Sequence, residues 1–178
     1  MAPLTVGIGG DRSGSGKTRV AEGLLRRLRG WGAVKCSPST LYVSVVDTPE
    51  TLSEPGKDTH RFIEAGAQEV LWVRAPGPEI GEPLSIALGR LSHLEGVIVE
   101  GNSAVEELKE TADVIIFTAS GAENGLKNNV EGLLGRAHAV LYEGSPPGAA
   151  SEGARLFRRE DEDKLVDYVL EILHGRKG

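Results

Sequence analysis

The 178-residue sequence holds a single cysteine, Cys36, so it has no internal disulfide to brace it, as expected for a reducing compartment. Aromatic residues make up only 4%, which leaves the core to Val, Leu, Ile and Ala. No run approaches the ~20 apolar residues that a membrane span needs. The opening residues, Met1-Ala2-Pro3-Leu4-Thr5-Val6, lack the basic start of a secretory signal. Positive charge is also short. The formal net charge is −6, which argues against a nucleic-acid partner, because affinity there rests on clustered cations. Arg26, Arg27 and Arg29 do cluster, and they read as a solvated helix face. The expectation is a cytoplasmic protein with neither a membrane nor a nucleic acid as partner.

What the sequence has in quantity is glycine, 24 residues, together with short apolar runs that alternate with helix-period segments. Strands are expected over residues 4–8, 33–36, 41–46, 70–73, 97–99 and 114–117, with 139–142 as the last. Helices are expected over 17–29, where Val20, Leu24 and Leu28 share a face, and over 58–65, 83–91 and 161–174. Continuous apolar strands separated by helices imply a mostly parallel sheet covered on both faces. The whole chain, 1–178, is long enough for one domain that buries roughly 70% of its unfolded surface. Residues 48–57 and 143–153, rich in Gly, Pro and Ser, read as loops, the second with the composition of a lid.

The strongest chemical signal lies between the first strand and the first helix: Gly9-Gly10-Asp11-Arg12-Ser13-Gly14-Ser15-Gly16-Lys17-Thr18. A polyphosphate needs a ring of backbone N–H donors, and only small residues let the backbone come close. The nucleotide-binding set is therefore Arg12, Ser13, Gly14, Ser15, Gly16, Lys17, Thr18 and Arg19. Lys17 would reach the β- and γ-phosphates, and the Thr18 hydroxyl would ligate Mg²⁺. This predicts the three-layer α/β/α P-loop NTPase fold with a mostly parallel central sheet. One position departs from the G-x-x-x-x-G-K-[ST] pattern, because Asp11 stands where glycine belongs and brings a carboxylate towards anionic phosphates. On that reading Asp11→Gly would tighten binding, and a degenerate loop kept only for assembly is a further possibility.

The metal needs carboxylates beyond the loop. Val97-Ile98-Val99-Glu100-Gly101 delivers an acid at the end of a buried strand, and Asp47 closes residues 41–46 in the same way. Ligands in open α/β sheets sit at such carboxyl ends. Thr18, Asp47 and Glu100 are thus the expected Mg²⁺ set, with Lys17 and Glu100 as the catalytic pair. Asp113 precedes its strand and is expected at the opposite end of the sheet. His60, His93, His138 and His174 lack metal-binding spacing, and Cys36 has no base nearby in sequence. No Asn/Thr-Lys-x-Asp segment reads guanine, so the choice between GTP and ATP stays open.

The run Gly56-Lys57-Asp58-Thr59-His60-Arg61-Phe62-Ile63-Glu64-Ala65-Gly66-Ala67 resembles a segment of the molybdopterin-guanine dinucleotide biosynthesis protein B (MobB) family. Ser13–Thr18 is similar to that family's phosphate loop, and Val99-Glu100-Gly101 to its later acidic motif. The resemblance covers about the first hundred residues, in order. It implies a Mg²⁺–GTP-binding P-loop protein, usually a homodimer, that assists the molybdopterin guanylyltransferase of molybdenum-cofactor maturation and turns over nucleotide weakly. It also implies that Lys57, Asp58, Thr59 and Arg61 line the site and respond to nucleotide or an anionic substrate. Read from the residues themselves, Asp58 or Thr59 can cap a helix, while Lys57 and Arg61 add positive charge. Asp11, the Ser-Pro-Ser-Thr at 37–40, and Asn102-Ser103 depart from the family pattern. A rival reading is an ATP-dependent kinase or ligase for a small metabolite, because dethiobiotin-synthetase-like P-loop proteins also place Glu-Gly after a buried strand.

Overall fold

The computed structural model describes residues 2–121, 130–148, 150 and 152–176. Its frame is an eight-stranded sheet in the order β3-β4-β2-β5-β1-β6-β7-β8. The strands are β1 (Leu4–Gly10), β2 (Trp31–Pro38), β3 (Ser44–Val46), β4 (Val70–Ala75), β5 (Gly96–Glu100), β6 (Val114–Ala119), β7 (Ala139–Tyr142) and β8 (Arg155–Arg158). Every neighbouring pair is parallel except β3–β4.

Helices cover both faces, as the apolar strands require. Val6, Ile8, Ile98, Val114 and Ile116 point to one side. There they meet Val20 and Leu24 of α1 (Lys17–Leu25), Phe62 of α3 (Asp58–Glu64), and Leu165, Val169 and Leu173 of α7 (Glu162–Arg176). The alternate positions point to the other side. Val97 and Val99 meet Leu84 and Ala87 of α4 (Gly81–Arg90), and Ile115 and Phe117 meet Leu133 and Leu134 of α6 (Val130–Leu134). Val105 of α5 (Asn102–Glu107) packs on that same face. Each large apolar side chain buried this way contributes on the order of 1.5–3 kcal/mol, so the period-2 alternation fixes the register of the central strands.

Several expectations are corrected. The first helix ends at Leu25 rather than at residue 29. Residues 139–142 are not the last strand, because β8 follows parallel to β7. Only residues 44–46 of the predicted 41–46 strand pair with a neighbour, and they pair antiparallel. The 48–57 segment contains a short helix, α2 (Pro49–Leu52). Part of the predicted 143–153 loop, residues 149 and 151, lies outside the described residues.

The chain leaves β1 for β2, β4 and β5 on one side, then returns past it to β6, β7 and β8 on the other. That reversal opens a crevice at the carboxyl end of β1, the place where open α/β sheets bind ligands.

Candidate functional site

The crevice is walled by the turn between β1 and α1. Gly10 closes β1, and a Cβ there would collide with the Ser15 and Thr118 hydroxyls. The turn is therefore packed tightly against β6 from Gly10 onwards. Ser15 Oγ and Thr118 Oγ1 are 2.7 Å apart and buried. Asn102, the first residue of α5, clamps Gly10 from the other side: its Oδ1 accepts from Gly10 N (2.9 Å) and its Nδ2 donates to Gly10 O (2.7 Å). Gly14 and Gly16 take φ of 79° and 107°, which side chains with a Cβ rarely adopt. The α1 helix begins at Lys17 with no side-chain cap, so its first N–H groups, which have no partner within the helix, are open to an anion. Lys17 Nζ donates to Arg12 O at 2.8 Å, folding the amine back over the loop.

Beneath the loop lies a network of charges. In the sheet register Glu100 neighbours both Ile8 and Lys35. Its side chain is 1% exposed, and an isolated carboxylate so deep would be costly. Lys35 Nζ answers it at 2.7 Å and also reaches Asp58 Oδ2 at 2.6 Å. Thr18 Oγ1 donates to Glu100 Oε2 at 3.1 Å. Burial works against the Lys35 charge, but Glu100 and Asp58 outweigh it and hold the ammonium above its usual pKa. Burial likewise opposes the Asp58 charge, and Lys35, with help from Thr18, overcomes it and lowers the carboxyl pKa. Lys17 goes the other way. Burial depresses its pKa, and Glu100 only partly restores it. A phosphate would supply the missing negative charge.

Beside this network a cavity of about 670 Å³ opens, bordered by Arg12, Lys17, Lys35, Glu100, Ser103 and Glu107 among others. Cys36 also borders it. Burial pushes that thiol up to about 12, so it is inert, as its sequence context implied.

Of the sequence-predicted residues, the structure brings together Lys17, Thr18, Glu100 and Asp58. Arg12 and Ser13 border the cavity, whereas Ser15 is taken up by Thr118. The Arg19 side chain instead pairs with Glu162 at 3.0 Å, on the outer face of α1. Asp47 is not brought to the site. Because β3 runs antiparallel, its carboxyl end points to the opposite end of the sheet, where Asp47, 65% exposed, meets Arg90 at 3.0 Å. Asp113 lies at that opposite end too, as expected, accepting a hydrogen bond from Thr5 N.

The 57–61 segment divides. Neither Asp58 nor Thr59 caps α3. Asp58 joins Lys35, while the buried Thr59 hydroxyl donates to Leu52 O at 2.8 Å. Arg61 grips Glu22 through Nη2 (2.6 Å) and Nε (3.3 Å), with Asp58 3.8 Å away. Lys57 pairs with Glu54 and lies 5.0 Å from the centre of the Trp72 ring.

Sequence reading missed Lys35 and Asn102. The signal for Lys35 was available, because a lysine inside an otherwise apolar strand has to be paired. Arg159 was missed as well; its guanidinium lies 3.9 Å from where a Cβ on Gly16 would be.

Among the described residues no group of three or more His, Cys, Asp or Glu encloses a metal. Mg²⁺ does not need such a cage. It takes hard oxygen donors, one or two from protein and the rest from phosphate and water, and Thr18, Glu100 and Asp58 form a donor set of that kind.

No protein-family model matches this chain, and no curated protein matches it in sequence. Solved structures do match. HypB from Helicobacter pylori in complex with nickel is 14% identical, with a TM-score of 0.57 over 96% of this chain and 86% of that one. A LAO/AO transport system kinase is 16% identical, with a TM-score of 0.53 over 99% of this chain. The signal recognition particle 54 kDa protein from Aeropyrum pernix K1, in complex with GDP, is 19% identical, with a TM-score of 0.51 over 97% of this chain. This chain spans 60% of the kinase's length and 46% of the last protein's. At these identities the likeness defines the fold. It is the three-layer P-loop NTPase fold, built around a mostly parallel sheet.

Proposed function

We propose that the protein binds a nucleoside triphosphate with Mg²⁺ at the β1–α1 turn. The observation that carries this reading is the convergence of Lys17, an uncapped helix start, and the Thr18–Glu100 contact. Backbone N–H groups of Gly14–Lys17 cradle the phosphates, and Lys17 neutralises the β- and γ-oxygens. Thr18, Glu100 and Asp58 would hold Mg²⁺, which would supply Lewis-acid stabilisation of phosphoryl-oxygen charge. Lys35, which pairs with both carboxylates, also borders the cavity. The GDP bound to the signal recognition particle protein supports the nucleotide assignment by fold analogy.

Within that class, the Gly56–Ala67 segment supports a MobB-like accessory factor, homodimeric, with weak NTPase activity and a molybdopterin guanylyltransferase as partner. Asp58, from that segment, stands beside Lys35 and Glu100. A second reading is favoured by the cavity. Its position beside Lys17 and Lys35, and a volume of about 670 Å³, suit a small-metabolite acceptor for an ATP-dependent kinase or ligase.

A thermal-shift panel of ATP, GTP and their diphosphates, with and without Mg²⁺, tests the class and the base together. Stabilisation by a triphosphate that depends on Mg²⁺ and vanishes in Lys17→Ala is the expected result. Absence of any shift would remove the assignment. Phosphate release then separates the two finer readings, being slow and independent of added metabolites for an accessory factor and metabolite-driven for a kinase or ligase.

A further inference from the structure

Asp11 replaces the turn glycine, yet its carboxylate is engaged by protein. Oδ2 accepts two hydrogen bonds from one residue beyond the end of β6, from Ser120 N at 2.8 Å and from Ser120 Oγ at 2.7 Å. The Asp11 N–H donates to Thr118 O at 3.0 Å. Its second oxygen, Oδ1, is buried without a hydrogen-bond partner among the described residues. Gly10, one residue earlier, is held by Asn102 from the α5 side. The two residues that open the phosphate loop are therefore fastened to different elements, one on each side of β1.

Hydrogen bonds to a carboxylate are roughly twice as strong as neutral ones. A loop already held in shape also avoids the ordering entropy that a loose loop loses when it binds. Glycine at position 11 would remove both Ser120 bonds and leave Ser15–Thr118 as the loop's remaining side-chain tie to β6.

We infer that Asp11 is a positioning residue for nucleotide: its carboxylate clasps Ser120 and keeps the phosphate loop in the shape that receives the phosphates. This rests on the nucleotide-binding reading above, and it reverses the expectation that Asp11 merely repels phosphate. Charge and clasp act separately. Asp11→Asn removes the charge but keeps an oxygen able to accept both Ser120 bonds. Asp11→Gly removes charge and clasp together.

The test measures two quantities on wild type, Asp11→Asn, Asp11→Gly and Ser120→Ala. The first is amide hydrogen exchange of residues 9–18 in the nucleotide-free protein. The second is affinity for Mg²⁺ with a non-hydrolysable ATP or GTP analogue. Asp11→Gly should lose about tenfold in loop protection and about tenfold in affinity, a change of about 1.4 kcal/mol. Asp11→Asn should stay within about threefold of wild type on both measures, with Ser120→Ala between the two. Equal or tighter binding by Asp11→Gly with unchanged exchange would overturn the clasp, and so would an Asp11→Asn protein as weak as Asp11→Gly. If Asp11→Gly does not fold, the exchange and affinity of Ser120→Ala against Asp11→Asn decide. A wild type that binds neither analogue would sink the nucleotide reading instead, and the exchange comparison would still judge the clasp as a fold element.

Discussion

Glu100 and Asp47 look alike in sequence, each an acid that ends a short apolar strand, yet they do opposite things. Glu100 closes β5, which runs parallel to β1, and so it arrives under the phosphate loop, buried against Lys35 and Thr18. Asp47 follows β3, which runs antiparallel to β4, and so it emerges at the opposite end of the sheet, in solvent beside Arg90. Residue type and local pattern are shared. Strand direction and place in the sheet separate a buried acid beside the β1–α1 turn from a surface ion pair.

Substitutions can break this contrast or sharpen it. The largest effect belongs to Lys35, which neutralises two carboxylates at once. Lys35→Ala leaves Glu100 buried without a counter-charge, and should destabilise the nucleotide-free protein by about 3 kcal/mol, measured by urea unfolding. Added Mg²⁺ with nucleotide should recover part of that loss. Glu100→Ala comes next. It should cut the Mg²⁺-dependent gain in triphosphate affinity by about a hundredfold, as for loss of a charge at a metal site, while leaving metal-free binding nearly unchanged; calorimetric titration with and without Mg²⁺ reads this directly.

A pH series isolates Asp58. Its folded pKa lies below the ordinary aspartate value of about 3.9. Its pairing therefore contributes fully above that value and is lost as pH falls through the folded pKa. Lys35 mirrors this at the basic end. Its contribution is complete below about pH 10.4 and disappears as pH rises through its raised pKa. The stability difference between wild type and Asp58→Asn should be flat at neutral pH and shrink towards strong acid; a gap that widens there would contradict the assignment. The smallest effect is expected at the opposite end of the sheet. Asp47→Ala should change stability by less than about 0.5 kcal/mol and leave nucleotide affinity untouched.

Much of this was legible before any fold was drawn. The Gly-Lys-Thr triplet sits where a strand meets a helix, and a buried apolar run ending in Glu100 can only be an inner strand. Strand direction was not legible for residues 41–46, because hydrophobic periodicity is the same read either way. Leu41, Tyr42 and Val43 prove to be exposed and unpaired in the sheet, leaving three residues to form β3. The last strand, Arg155-Leu156-Phe157-Arg158, escaped notice because only Phe157 is buried. For Lys35 only the need for a partner was legible, from a lysine among Ala33, Val34 and Cys36 of a core strand; the partners themselves are 23 and 65 positions away. The partner of Asp11 was out of sight for a related reason: Ser120 lies more than a hundred residues further on.

A co-crystal with Mg²⁺ and a non-hydrolysable triphosphate examines the account at its centre. The Lys17 amine should leave Arg12 O for the β- and γ-phosphate oxygens, with the metal beside the Thr18 hydroxyl and Glu100, and Asp47 still at the opposite end of the sheet. A triphosphate bound elsewhere, or a loop that stays closed on Arg12 at saturating nucleotide, would contradict it.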